Sequence, residues 1–184
     1  MTPAAPVYWA AAGSGAVTEA LVTARLSLCP MIAGDAAGLH QIFADPQVMR
    51  YFDDPHRTVD QTERWVRRSA EAPPDETREF TIRRDGQIIG KAGIWKAPEI
   101  GFLLHRTHLR QGLMTEALEV LIPHLSTLMS LPVITADVDP RNTASLGLLD
   151  RLGFFETHRA ARTIEIGGEW CDSVFLKLNA PAPT

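Results

Sequence analysis

The stretch HLRQGLMTEALEVL, residues 108–121, places basic and amide side chains and a single glycine directly ahead of an apolar helix. Gly112 falls at the cap position, where Asp, Ser or Thr would ordinarily accept hydrogen bonds from the first backbone N–H groups. An uncapped start leaves those groups, and the positive end of the helix dipole, available to an anion such as phosphate. Taken alone, the stretch would be interpreted as a plain loop-to-helix junction.

A second stretch, DVDPRNTASLGLLDRLGF, residues 137–154, also opens a helix. Asn142 is a good helix cap, because its side-chain oxygen accepts hydrogen bonds from backbone N–H groups, and Ser145 lies in the first turn. Each residue has an ordinary structural explanation, as a cap and as a polar residue in a first turn. The two stretches together, in this order, favour a ligand site that both helices share.

Hydrophobic periodicity predicts the elements that must position these two stretches. Alternating or continuous apolar runs predict strands at residues 24–30, 79–84, 87–95, 98–104 and 131–140, and two closing strands on either side of Gly167-Gly168. Apolar residues at helical spacing predict helices at residues 34–45, from Thr58 to the prolines at 73–74, from about Leu113 to Leu128, and at 142–153.

Local signals set the ends of these elements. Thr58 and Gln61 have capping-box spacing, and Asp85-Gly86 between two alternating runs predicts a tight hairpin. Pro123 is expected to kink the third helix or to shorten its regular part, because proline removes an intrahelical hydrogen bond. Residues 47–57, QVMRYFDDPHR, are predicted to form a loop.

The order of these elements predicts an α+β fold with a mixed sheet. We expect one domain over residues 21–178, an N-terminal tail at residues 1–20 and a C-terminal tail at residues 179–184. The N-terminal tail contains GSGAVTEA, residues 13–20, which resembles a phosphate-binding loop. No predicted strand precedes it and no lysine follows it, so it lacks the context of either glycine-rich nucleotide motif.

Composition excludes several classes of function. A chain of 184 residues with 45% hydrophobic and 22% charged residues is typical of one soluble domain. The net charge of −4 gives no electrostatic support for a nucleic-acid partner, and no apolar run is long enough for a membrane helix. The two cysteines form neither a disulfide framework nor a metal site, which predicts a cytoplasmic protein without a metal.

The chain resembles the GNAT superfamily of acetyl-CoA-dependent N-acetyltransferases, and within it the RimJ/RimL-like group, over nearly all of residues 21–178. The segments that carry the resemblance are LVTARLSLCPM, EIGFLLHRTHLRQGLMTEAL, DPRNTASLGLLDRLGF and GEWCDSVFLKL. The superfamily's cofactor motif is Gln/Arg-x-x-Gly-x-Gly/Ala. Leu109, Gly112 and Met114 occupy these positions here, so only the central glycine matches.

The resemblance implies a GNAT fold, with a mixed, mostly antiparallel sheet, helices on both faces, and strands that diverge at the cofactor site. It implies that acetyl-CoA is the co-substrate. The cofactor-binding residues that it implies are Phe102, Leu103 and Leu104 for pantetheine, Arg110, Gln111, Gly112, Leu113, Met114 and Thr115 for pyrophosphate, and Asn142 for pantetheine.

For catalysis, the resemblance implies Glu99 as the base and Ser145 as the group facing the sulfur. Glu99 is equally well explained as a solvated charge at a strand edge. The acceptor residues that it implies are Tyr51, Phe52, Asp53 and Trp95, with Arg50, Asp54 and Trp170 nearby, although an ordinary acidic loop is the simpler explanation of residues 50–54.

The leading hypothesis is an enzyme that acetylates a primary amine, either a protein N-terminus or a small molecule, by direct attack in a ternary complex. A homodimer is possible on the family pattern. The alternative is a module that binds acyl-CoA with little or no turnover and reports it to a partner.

Overall fold

The computed structural model describes residues 20–179. Its strands are β1 (Leu21–Val22), β2 (Ser27–Pro30), β3 (Arg78–Arg84), β4 (Gln87–Lys96), β5 (Glu99–Leu104), β6 (Val133–Val138), β7 (Phe155–Ile166) and β8 (Glu169–Asn179). Its α-helices are α1 (Ala36–Phe43), α2 (Pro46–Met49), α3 (Val59–Glu71), α4 (Leu113–Leu128) and α5 (Thr143–Arg151), with 3-10 turns at Ala33–Asp35 and Arg106–His108.

The eight strands form one sheet in the order β1-β2-β3-β4-β5-β6-β8-β7. Neighbouring strands are antiparallel, except for the parallel pair β5 and β6 at the middle of the sheet. That exception follows from the connection, because the long α4 crossover returns the chain in the same direction, as parallel pairing requires.

Helices cover both faces of this sheet. Successive residues of a strand point to opposite faces, and on β5 Leu103 packs with buried residues of α1, α2 and α3, whereas Leu104 packs with those of α4 and α5. Leu39 and Phe43 of α1 and Leu118 of α4 are fully buried in these two clusters. The predicted α+β class, the mixed sheet and the two helical layers are therefore confirmed.

The predicted turn and cap signals are present. Asp85 (φ 50°) and Gly86 (φ 80°) both have positive φ, as a two-residue hairpin of the favoured hand requires. Gly167 and Gly168 join β7 and β8 in the same way, at φ 61° and 81°. At the start of α3, Gln61 Oε1 accepts a hydrogen bond from the Thr58 N–H at 3.3 Å.

Two short elements, α2 and β1, were not predicted from the sequence. The predicted loop at residues 47–57 is wrong at its start, because α2 occupies Pro46–Met49. Asp45 caps that helix by accepting a hydrogen bond from the Gln47 N–H at 2.9 Å, and Pro46 supplies a preset φ at the first helical position. The two-residue strand β1 carries too little pattern to be recognised in sequence.

Pro123 does not shorten α4, which continues to Leu128. An internal proline costs about 3 kcal/mol, whereas full burial of one leucine contributes about 1.5–3 kcal/mol. Leu121 and Leu125, on either side of Pro123, are both 0% exposed, so packing outweighs the lost hydrogen bond. Two apolar residues of α4, Val120 and Leu128, lie at the surface.

The predicted tails, residues 1–20 and 179–184, lie almost entirely outside the described residues and stay a prediction. Ala20 is buried and Asn179 pairs with Val133, while residues 1–19, with the glycine pattern, and residues 180–184 lie outside the described residues. Within residues 20–179, no helix is long and apolar enough to cross a membrane. In the same range, no three His, Cys, Asp or Glu residues are grouped as metal ligands.

Candidate active site

A cavity of about 470 Å³ lies where β5 and β6 diverge. It is lined by β5, by β6 with the start of α5, by the α2–α3 segment and by the β7–β8 hairpin. Nine of the residues singled out in the sequence line it: Tyr51, Phe52, Asp53, Trp95, Glu99, Phe102, Leu103, Asn142 and Ser145. The fold thus brings the predicted catalytic and acceptor residues into one space.

The divergence of the two strands exposes backbone to this cavity. The register between β5 and β6 consists of the pair Glu99 and Thr135, beside a hydrogen bond of 3.0 Å from the Thr135 N–H to the Pro98 carbonyl. Beyond that point, β6 stays paired with β8, and β5 stays paired with β4 as far as Leu104. The peptide groups of β5 that face β6 are therefore available to a ligand.

The start of α4 has the open geometry that the sequence predicts. Gly112 is the cap residue in the left-handed conformation (φ 73°, ψ 5°), and no side chain caps the helix. Arg110 also has positive φ, at 59°. Leu113 and Met114 turn their side chains into the core, at 1% and 9% exposure, so Met114 does not cover the helix start.

Arg25, which the sequence analysis did not identify, adds positive charge beside this helix start. Its Nη1 donates to the Gln111 carbonyl at 2.9 Å, and its Nε lies 2.6 Å from Glu116 Oε2. A Cβ added at Gly112 would meet Arg25 Nη2 at 3.6 Å. Arg25 precedes the motif by more than eighty residues, so no local spacing could have indicated it.

Glu116 holds that arginine in place. Partial burial alone would raise the pKa of the Glu116 carboxyl, but hydrogen bonds from Thr23 and Arg25 lower it below its ordinary value. Glu116 therefore stays ionised and keeps the guanidinium next to Gly112.

The side-chain amide of Gln111 makes two hydrogen bonds within the protein. Its Nε2 donates to the Thr107 carbonyl at 2.9 Å, and its Oε1 accepts from Arg84 Nη1 at 3.0 Å. The amide thus closes the loop before α4, and only the backbone N–H of Gln111 remains as a predicted ligand contact. Leu104 is 7% exposed and packs in the core, so it too would offer backbone only.

Glu99 is the first residue of β5, and it lines the cavity. Its Oε1 accepts a hydrogen bond from Trp95 Nε1 at 2.9 Å. Burial raises the pKa of the Glu99 carboxyl, the hydrogen bond from Trp95 opposes the rise, and the nearby Asp137 carboxylate adds to it. A carboxylate with a raised pKa is better matched to accepting a proton near neutral pH.

Asp137, which also lines the cavity, was not selected from the sequence. Desolvation raises the pKa of its carboxyl, a hydrogen bond with Ser173 lowers it, and Asp139 raises it further. The alternation of buried Ala136 and Val138 around it was the available signal, because it directs Asp137 away from the core.

Asn142 and Ser145 sit at the start of α5, as predicted. Asn142 Oδ1 accepts a hydrogen bond from the Ser145 N–H at 3.1 Å, which confirms the predicted cap. Both residues also line the cavity, so the Ser145 hydroxyl and the Asn142 amide group can face a ligand lying between β5 and β6.

Aromatic and acidic side chains form the wall of the cavity where the acceptor was predicted to lie. Tyr51, Phe52, Asp53 and Trp95 line the cavity as predicted, and Trp65 of α3 is an addition. The predicted wall residue Trp170 does not line it and lies beneath Arg162 on the surface instead. Arg50 lies over the Tyr51 ring, and Asp54 accepts a hydrogen bond from the Gly167 N–H at 2.7 Å.

A buried ion pair lies beneath this wall. Lys91 Nζ is 2.8 Å from Glu79 Oε1, and both side chains are almost completely buried. The ammonium group is 4.8 Å from the centre of the Phe52 ring and 5.1 Å from that of Trp65. The pair therefore supports two aromatic residues of the cavity from the core side.

Comparison with known proteins agrees with this architecture. The chain matches the acetyltransferase (GNAT) domain family over residues 25–155. It is 32% identical over 146 residues to the uncharacterized N-acetyltransferase p20 of Bacillus licheniformis, covering 74% of this chain and 82% of that protein. It is 30% identical over 108 residues to the ribosomal protein uS5-alanine N-acetyltransferase of Escherichia coli (strain K12), covering 59% of this chain and 55% of that protein.

The fold is similar to that of RimL, the ribosomal L7/L12 alpha-N-protein acetyltransferase, solved in complex with coenzyme A. The TM-score is 0.81 at 17% sequence identity, covering 89% of this chain and 98% of that one. Because the family match spans most of the chain, the protein belongs to the GNAT family and is an N-acetyltransferase. The resemblance inferred from its motifs is thereby confirmed.

Proposed function

We propose that the protein transfers an acetyl group from acetyl-CoA to a primary amine by direct attack within a ternary complex. The observation that carries this proposal is the joint placement of Glu99, Asn142 and Ser145 in one cavity between diverging strands. The uncapped start of α4 follows directly after β5 and its short connecting turn.

Acetyl-CoA fits this arrangement as a substrate. Its pyrophosphate would be bound by the backbone N–H groups of residues 110–115, because the helix start is uncapped and Arg25 adds charge there. Its pantetheine arm would pair with the β5 backbone at Phe102, Leu103 and Leu104. Asn142 would hold the arm from the side of α5.

The acceptor must lose a proton before it attacks. A primary amine has a pKa of about 10.4, so its neutral form costs about 4–5 kcal/mol at pH 7, at about 1.36 kcal/mol for each pH unit. Glu99 takes that proton, directly or through water, and its raised pKa suits the task. The amine nitrogen then attacks the thioester carbon.

Two further groups assist the transfer. The backbone N–H near Leu103 stabilises the oxyanion that develops on the thioester oxygen. The Ser145 hydroxyl donates a hydrogen bond to the departing thiolate. A free thiol has a pKa near 8.5, so the thiolate is a tolerable leaving group and needs little help.

The acceptor amine would lie against Tyr51, Phe52, Asp53 and Trp95. Aromatic rings and a carboxylate together suit an ammonium group before it loses its proton. The names of two similar proteins refer to ribosomal-protein substrates, which supports a polypeptide N-terminus as one candidate acceptor.

Release of free thiol from acetyl-CoA across a panel of peptides, polyamines and aminoglycosides tests this function. We expect thiol release that depends on the acceptor, with a matching gain of one acetyl group in the product by mass spectrometry. A thermal-shift measurement with acetyl-CoA runs in parallel, and saturation at about 100 times Kd should stabilise the fold by about 2.7 kcal/mol. Stabilisation without thiol release for any amine would favour the acyl-CoA sensor instead.

A further inference from the structure

An open cleft of about 1910 Å³ lies beside the acceptor cavity. It is lined by α3 and the segment before it, by the turn leading into β3, and by the end of β4. Asp53, Trp65 and Trp95 line both the cleft and the cavity. The two spaces therefore adjoin, and a ligand seated in the cavity can extend into the cleft.

The cleft is larger than the cavity, and this difference bears on the size of the acceptor. Sites for small molecules are typically about 300–1,000 Å³. The cavity, at about 470 Å³, falls within that range, whereas the cleft, at about 1910 Å³, is larger. The cleft therefore has room for a chain that continues beyond the reacting amine.

Four exposed cations line the cleft: Arg57, Arg64, Arg68 and Lys96. Within residues 20–179, none of the four forms an ion pair with a carboxylate. Arg64 and Arg68 are four residues apart on α3, so they lie on one face of the helix, a turn apart. This row of cations is free to meet an anionic ligand.

Carboxylates are also present in the cleft. Asp53 and Asp54 stand next to the cavity, and each accepts a backbone N–H at 2.7 Å, from Asp54 and Gly167 respectively. Glu71 and Glu76 lie at and beyond the end of α3. In sequence, the three arginines of the cleft lie between these two pairs of acidic residues. The pair next to the cavity is placed to meet the ammonium group of the acceptor.

We propose that the acceptor is the free N-terminal amine of a polypeptide whose following residues are acidic and lie along α3 in this cleft. This inference rests on the proposed function of the adjoining cavity. The spacing is suitable, because four helical residues rise about 6 Å and two residues of an extended strand rise about 6.6 Å. Acidic residues at alternate positions of the peptide would therefore match Arg64 and Arg68.

Octapeptides with a free N-terminus and identical first residues test this inference. One carries two glutamates at alternate positions, the second carries glutamines there, and the third carries lysines. We expect the KM of the glutamate peptide to be about tenfold lower than that of the glutamine peptide, since two exposed pairs form. The advantage should shrink as salt concentration rises.

Charge reversal on α3 supplies the matched comparison. The double variant Arg64→Glu with Arg68→Glu should raise the KM of the glutamate peptide about tenfold and lower that of the lysine peptide. Arg67→Glu is the control, because Arg67 is exposed on the same helix and does not line the cleft. Thermal melting checks that all variants are folded.

The outcomes separate this inference from the proposed function. Equal KM values across the three peptides, or a double variant that behaves like Arg67→Glu, would overturn the acidic-peptide inference while acetyl transfer itself stands. Fluorescence anisotropy of a labelled glutamate peptide measures its binding to the protein in the absence of turnover. Peptide binding that requires Arg64 and Arg68, with no thiol release from any amine, would support binding of an acidic peptide in the cleft and overturn the proposed acetyl transfer.

Discussion

Substitution of Gly112 by aspartate tests the anion site at the start of α4. Gly112 is left-handed, so an aspartate there would not adopt the extended backbone that capping residues ordinarily use. Its effect on the ligand would come mainly from its charge. The new carboxylate would lie close to the Arg25 guanidinium, since a Cβ at this position is 3.6 Å from Nη2, and would offset the charge that the pyrophosphate meets.

The expected loss of affinity follows from Coulomb's law. Two like charges about 5 Å apart repel by about 0.8 kcal/mol in bulk water and about 3.3 kcal/mol at an effective dielectric constant of about 20. At about 1.4 kcal/mol for each factor of ten, this range corresponds to an increase in the Kd of acetyl-CoA of about 4-fold to 230-fold.

Isothermal titration with acetyl-CoA measures this change, with Gly112→Asn as the matched control. Asparagine has nearly the same shape as aspartate and tolerates left-handed φ, but carries no charge. We expect the asparagine variant to retain most of the affinity and the aspartate variant to lose it, with a smaller loss at high salt. Equal Kd values for the two variants would mean that the pyrophosphate does not bind at Gly112.

Three further predictions concern catalysis and stability. Glu99→Gln should lower kcat about 10²–10⁴-fold and remove the acidic limb of the pH–rate profile. That limb should lie above the ordinary carboxyl pKa, because the pKa of Glu99 is raised. If Asp137→Asn removes the limb instead, the base is Asp137. Ser145→Ala should lower kcat by less than about a thousandfold in a steady-state thiol assay, because the thiolate leaves readily. Lys91→Met should destabilise the fold by about 3–5 kcal/mol in urea unfolding, because it leaves the buried Glu79 unpaired, and adding Glu79→Gln should restore part of that loss.

Features governed by local chemistry could be predicted from the sequence. The hairpins at Asp85-Gly86 and Gly167-Gly168, the Asn142 cap and the uncapped start at Gly112 each depend on residues within one or two turns of chain. Side-chain period and turn preference act over that range. The motifs were therefore located correctly, and the resemblance that they carry led to the right family.

Pro123 shows that local sequence preferences do not determine the length of α4. Its missing N–H predicted that α4 is kinked or shortened. The helix is not shortened, because burial of Leu121 and Leu125 against the sheet favours its continuation to Leu128, and the kink stays a prediction. That burial depends on which elements pack together, which no short window of sequence contains.

Only the tertiary structure decided which distant residues meet. Arg25 reaches the Gln111 carbonyl and Glu116 across more than eighty residues of chain. Asp137 comes beside Glu99 because the sheet order sets β6 next to β5. The packing of α3 likewise brings Trp65 to the wall of the cavity and Arg64 and Arg68 to the adjoining cleft. Contacts between residues far apart in the chain form when the whole core is buried at once, so their geometry is a property of the packed fold.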